Sequence, residues 1–124
     1  MNVELSLAVL AYFLGSLPTA YLLVRAAIGE DVRTKGSGNV GATNALRSAG
    51  WKVGVTVTAL DIAKGSLAVW AMMVFNPESA WLAAAVLAVV AGHCFPRWLL
   101  FRGGKGVASG FGAFLVIAPL SAVA

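Results

Sequence analysis

Apolar positions in this chain gather into long blocks, far longer than the alternation of a strand or the stripe of a surface helix would need. Leu5 to Val24 holds no charged residue. Twenty helical residues at about 1.5 Å each cover the roughly 30 Å hydrocarbon layer of a bilayer. A second block, Val53 to Phe75, is broken only by Asp61 and Lys64. A third, Ser79 to Pro96, and a fourth, Gly106 to Ala124, carry no charge. The pattern predicts an all-α membrane protein, a polytopic helical bundle with four spans in this chain. Gly15, Ser16 and Pro18 interrupt the first span, which a membrane helix tolerates where neighbours cover the freed backbone groups. The start does not read as a cleaved signal peptide, since it holds Glu4, lacks Lys and Arg, and is long for that purpose. With no internal repeat or linker, residues 1–124 form a single membrane domain.

Composition agrees. The 124 residues are 60% hydrophobic and 11% charged, against about half and a quarter in soluble domains. Nine Lys and Arg oppose five Asp and Glu, an excess that marks loops on one side of a membrane, with nucleic acid not expected as a partner. Arg25, Arg33, Lys35, Arg47 and Lys52 fall between the first two spans, and Arg97, Arg102 and Lys105 between the last two. The N-terminus and the Asn76–Ser79 turn carry Glu4 and Glu78 and no basic residue. The positive-inside rule therefore predicts both long loops in the cytoplasm and the N-terminus outside. Cys94 is the only cysteine and His93 the only histidine, which excludes an internal disulfide and a structural zinc site. No metal or cofactor is expected.

Both long loops are rich in glycine. The stretch from Gly36 through Ser37, Gly38, Asn39, Gly41 and Thr43 to Asn44 offers turns and small polar donors, followed by Arg47. Glycine brings backbone N–H groups close to a ligand, successive N–H groups form anion-binding hollows, and arginine grips phosphate with two donors. In the second loop, Gly103, Gly104 and Gly106 flank Lys105 at the start of the fourth span. Backbone N–H groups, helix dipole and ammonium can converge there on one anion. The spacing is not that of a nucleotide-binding P-loop, because Gly106 stands where Ser or Thr is required. Arg97, Trp98 and Arg102 read as an interface anchor. Asp61 and Lys64, at i and i+3, share a face of an apolar helix. They are either a structural pair or the lining of a pocket in which Lys64 faces the anion.

These stretches resemble the bacterial acyl-phosphate:glycerol-3-phosphate acyltransferases. Ser37-Gly38-Asn39-Val40-Gly41-Ala42-Thr43-Asn44 with Arg47 is similar to that family's first signature. Leu60-Asp61-Ile62-Ala63-Lys64-Gly65, Gly92-His93-Cys94-Phe95-Pro96 and Phe101-Arg102-Gly103-Gly104-Lys105-Gly106-Val107-Ala108 resemble its next ones. The resemblance covers essentially the whole chain in order. It implies a fatty acyl group moved from acyl phosphate to the 1-hydroxyl of sn-glycerol 3-phosphate, giving lysophosphatidic acid in the first step of bacterial phospholipid synthesis. It also implies a multi-pass enzyme of the cytoplasmic membrane, active on the cytoplasmic side, with about seven spans in full-length members. By the same resemblance Ser37, Arg47 and Lys105 are catalytic. Gly38, Asn39, Thr43, Asn44, Gly103, Gly104 and Gly106 bind substrate phosphate, and Asp61, Lys64 and His93 support the site. The family's third motif, with His and Asn, follows further spans and lies beyond this chain. The chain is therefore expected to be the N-terminal part of a longer acyltransferase and not to turn over alone.

Two anionic substrates repel each other, so the site's main task is to neutralise phosphate and orient the hydroxyl. His93 is either a general base or a structural residue at a helix end. The His-x4-Asp pair of thioester-dependent acyltransferases is absent, because Trp98 stands five after His93. The rival function is a membrane transporter or binding protein for a phosphorylated small molecule, which would show inverted repeats and a site near the midplane. Neither is visible in the sequence.

Overall fold

In the computed structural model, residues 2–118 are described. The first span is two helices. α1 (Val3–Gly15) starts where the Asn2 side chain accepts a hydrogen bond from the Leu5 N–H at 2.8 Å. It stops before Pro18, whose ring lacks an N–H and disfavours helix at the preceding residue. The chain resumes as α2 (Thr19–Ile28), ended by Gly29 in the left-handed region at φ 69°. α4 (Trp51–Phe75) and α5 (Ser79–Cys94) follow the expected second and third spans, and a 3₁₀ turn at Arg97–Leu99 extends the latter. The stretches Val3–Ile28, Trp51–Phe75 and Ser79–Leu99 are each long and apolar enough to cross a membrane. α6 (Val107–Ile117) is an apolar helix of 11 residues. The rest of the expected fourth span, residues 119–124, lies outside the described residues.

One element was not expected. The first loop, read as irregular, contains α3 (Ala42–Ala49). Its signal was present in Ala42, Ala45, Leu46 and Ala49, the i, i+3, i+4, i+7 spacing of an apolar helix face. Ala45 is fully buried, in a cluster with Val24, Val32, Val40 and Val57.

The bundle pairs α1 with α5 and α4 with α6, and both pairs are notched by glycine in the same reciprocal way. A methyl added at Gly15 would overlap the Val89 carbonyl, and one at Gly92 the Tyr12 carbonyl. In the other pair, a methyl at Gly65 would overlap the Ser109 carbonyl, and one at Gly112 the Ile62 carbonyl. Such close approach is how helices associate in lipid, where apolar side chains gain little by leaving one hydrocarbon for another. Ser66 Oγ donates to the Gly112 carbonyl at 2.7 Å and locks the second pair in register. The exterior is apolar, with Leu87, Leu22, Val74 and Leu67 all exposed, as a lipid-facing surface requires. At one end Asn76 donates to Glu4 at 3.0 Å. The two basic loops meet at the other.

Candidate active site

Each loop is folded by one polar device. In the first, the Asp31 carboxylate caps the 3₁₀ turn Val32–Thr34, accepting the Arg33 N–H at 2.9 Å and pairing with its guanidinium at 2.7 Å. The guanidinium holds the Asp31 carboxyl below the usual carboxylate range and is itself raised in return. Gly36 and Gly38 then turn the chain at φ 49° and 75°. Asn44, on α3, closes the loop from within. It is 2% exposed, and its amide donates to the Val32, Lys35 and Asn39 carbonyls at 3.0–3.1 Å.

The second loop is folded by backbone contact. The Gly103 N–H donates to the Cys94 carbonyl at 2.9 Å and the Gly104 N–H to the His93 carbonyl at 3.2 Å. Gly104 lies between the His93 imidazole and the Val40 carbonyl, so a methyl there would overlap the ring and come within 2.7 Å of the carbonyl. This glycine is where the two loops touch. Gly106 takes the left-handed conformation, φ 80°, and starts α6.

Between the loops lies a cleft of about 430 Å³. Gly41, Ala42 and Thr43, at the start of α3, form one wall with Asn39. Lys105, Gly106, Val107 and Ala108, at the start of α6, form another. Thr58, Asp61, Ile62 and His93 line it from α4 and α5, and Phe111 makes the apolar end. Asp61 and His93 are its floor, 2% and 9% exposed. Neither α3 nor α6 has a side-chain cap or an acidic residue in its first turn. The starts of two helices therefore meet at one cavity with no acidic residue in either first turn. The loops' own acids are consumed nearby, Asp31 by Arg33 and Glu30 by Lys35. Arg47 and Lys105, both exposed, have no acidic partner among the described residues. A separate cavity of about 350 Å³, between α4 and the α1–α2 break, is almost wholly apolar apart from Thr19 and Lys64. Helix starts and a lysine at one cavity are features that can accept an anion, and the first cleft combines them.

Residues 5–124 match the family described as glycerol-3-phosphate acyltransferase. The chain belongs to that family. Glycerol-3-phosphate acyltransferase of Anaeromyxobacter sp. (strain K) is 46% identical over 117 residues, covering 91% of this chain and 58% of the relative. That of Geobacter metallireducens is 46% identical over 121 residues, covering 98% and 62%. Among solved structures, the glycerol 3-phosphate form of PlsY, an integral membrane glycerol 3-phosphate acyltransferase, superposes with a TM-score of 0.92 at 40% identity. That match covers 98% of this chain and 61% of PlsY. The lysophosphatidic acid form superposes at 0.85 with 38% identity. The chain thus spans about three fifths of the length of the acyltransferases it matches, and its fold is theirs, an all-α integral membrane bundle.

Within that family frame, the expected site residues fall into three groups. Asn39, Thr43, Lys105, Gly106, Asp61 and His93 come together in the cleft. Ser37 and Gly38 lie at the turn beside it, Ser37 exposed with its Oγ accepting the Asn39 N–H at 3.3 Å. Arg47 is one turn beyond Thr43 on α3, and so on the same helix face. The remaining residues need correction. Asn44 is not free to bind phosphate, because its donors are spent on three carbonyls. Gly38 does not offer its N–H to a ligand either, since it donates to the Lys35 carbonyl at 2.8 Å, and those of Gly103 and Gly104 are both bonded within the second loop. Their smallness is what the fold uses. Lys64 does not face the anion: its Nζ donates to the Leu17 carbonyl and lies 3.0 Å from Asp61 Oδ1, away from the cleft. Thr58 escaped notice, although it sits one turn before Asp61 on the same helix.

Proposed function

We propose that this chain supplies the phosphate-binding part of an enzyme that moves a fatty acyl group from acyl phosphate to the 1-hydroxyl of sn-glycerol 3-phosphate. The product is lysophosphatidic acid, the first intermediate of bacterial phospholipid synthesis. The observation that carries this reading is the meeting of two uncapped helix N-termini across one cleft, with Lys105 between them. Acyl phosphate is a mixed anhydride with phosphate as leaving group, so the protein need not build a strong nucleophile. Its work is to hold two mutually repelling anions with the acceptor hydroxyl against the carbonyl carbon.

The roles follow from position. The α6 N-terminus and Lys105 hold one phosphate, and the α3 N-terminus with Asn39, Thr43 and Arg47 the other. Ser37 donates its free O–H to an incoming phosphate oxygen. The hydroxyl adds to the carbonyl, the tetrahedral oxyanion collapses, the C–O bond to phosphate breaks, and the acceptor's proton leaves with the phosphate. Phe111 and Ile62 give the acyl chain an apolar exit toward lipid. We assign His93 to the floor of the cleft and not to proton transfer, in keeping with its burial.

The basic end of the bundle is cytoplasmic on this reading, with the N-terminus outside. In a Cys94→Ser background, a cysteine at position 37 should label from inside and one at position 78 from outside. Membranes carrying the full-length protein should make lysophosphatidic acid from acyl phosphate and glycerol 3-phosphate, and none from an acyl thioester. Residues 1–124 alone should insert with the same topology yet not turn over. Product from the thioester and none from the phosphate would refute the donor assignment.

A further inference from the structure

The floor of the cleft poses an electrostatic problem. Asp61 lines a cavity whose other features favour anions, and a bare carboxylate there would repel the phosphate that the rest of the site attracts. No cation of the cleft wall pairs with it. Its partner comes from behind: Lys64, one turn on, approaches Asp61 Oδ1 at 3.0 Å from outside the cleft, with both side chains 95% or more buried. The same ammonium donates to the Leu17 carbonyl at 3.0 Å, at the break between α1 and α2 where Pro18 prevents regular helix. His93 Nδ1 lies 3.8 Å from Asp61 Oδ1, too long for a hydrogen bond. Asp61 Oδ1 has no well-directed hydrogen bond, so charge and distance hold it to Lys64.

We propose that Lys64 is the counter-ion that masks Asp61, at the cleft floor, from the anionic substrate. This rests on the assignment of the cleft as the glycerol 3-phosphate site. Lys64 thereby contributes to substrate affinity without touching substrate. The charge logic separates this role from simple helix packing. Lys64→Met exposes an unmatched carboxylate beneath the phosphate, and Asp61→Asn removes the need for masking. Removing both restores neutrality.

The test is the affinity of the purified full-length protein for glycerol 3-phosphate, read from ligand-induced thermal stabilisation. Lysophosphatidic acid formation in wild-type membranes is a separate readout that bears only on the activity. Lys64→Met is expected to weaken affinity about ten-fold, from like-charge repulsion at protein dielectric. Asp61→Asn should bind no more weakly than wild type, and Lys64→Met combined with Asp61→Asn should recover most of the lost affinity. A double variant that binds as poorly as Lys64→Met, or worse, overturns the proposal. If Lys64→Met does not fold, Asp61→Asn decides alone: a ten-fold loss of affinity there would show that the carboxylate helps the anion and is not masked from it.

Discussion

The two basic loops look alike as strings of letters and are built on opposite principles. In the first, glycine serves for its dihedral freedom: Gly36 and Gly38 make turns at positive φ, and a polar side chain, Asn44, gathers the loop's carbonyls. In the second, Gly103 and Gly104 serve for their lack of a side chain, letting one stretch of backbone lie directly on another. The first loop thus tolerates small adjustments of a mobile amide. The second presents rigid carbonyls and an imidazole, which cannot give way. Glycine-rich composition therefore does not say which glycines keep an N–H for a ligand. The hydrogen bonds within the loops do.

Gly104→Ala is the sharpest probe of that contrast and the largest expected effect. A methyl pressed on His93 and Val40 should cost about 1–3 kcal/mol of stability. It should also separate the loops, taking turnover to background; unchanged melting with only a raised KM would return Gly104 to the ligand-binding group. Arg47→Lys keeps the charge but loses the two-pronged grip, and should lower kcat/KM by about a hundred-fold with melting unaffected. Near-normal kinetics would make Arg47 an interface anchor. Asn44→Ala removes the side-chain donor of the Asn39 carbonyl and one of two donors from those of Val32 and Lys35, and should destabilise the first loop by about 1–3 kcal/mol. Hydrogen exchange of residues 32–39 should rise while α6 stays protected. Gly38→Ala adds only left-handed strain, about 1 kcal/mol, and the nearest atom, the Arg33 carbonyl, is at 3.1 Å.

The smallest effect is at Asp31. Its carboxyl is depressed by Arg33, so its contribution is complete above the ordinary carboxylate range and is lost as pH falls through the folded value. Asp31→Asn should melt slightly below wild type at neutral pH and match it once the pH has fallen below the depressed folded value. Surface screening keeps the difference small.

Much of this was legible in order along the chain. The long spans are read from the absence of charge, and the pairing of the two loops at one end follows from Arg and Lys placement. The α3 helix was hidden because Gly, Ser, Asn and Thr on either side of its start suggest a turn, although Ala42, Ala45, Leu46 and Ala49 mark its face. The orientation of Lys64 could not be read. The i, i+3 spacing places it beside Asp61, but its bond to the Leu17 carbonyl across the bundle depends on where the fold puts the α1–α2 break. Asn44 shows the same limit, since its three acceptors come from residues whose path depends on the fold it stabilises.

The reciprocal glycine notches bear on how the protein is made. α1 packs on both α4 and α5, and α5 leaves the ribosome several seconds after α1 at roughly 5–20 residues per second. During that interval Gly15 and the broken segment at Ser16–Pro18 wait in or beside the insertion machinery without their full set of neighbours. α4 arrives first, packs on α1 and ties the break to itself through Lys64 and the Leu17 carbonyl. The notched contact with α5 closes only when Gly92 arrives. A nascent chain stalled before Gly92 would expose that earlier state to crosslinking.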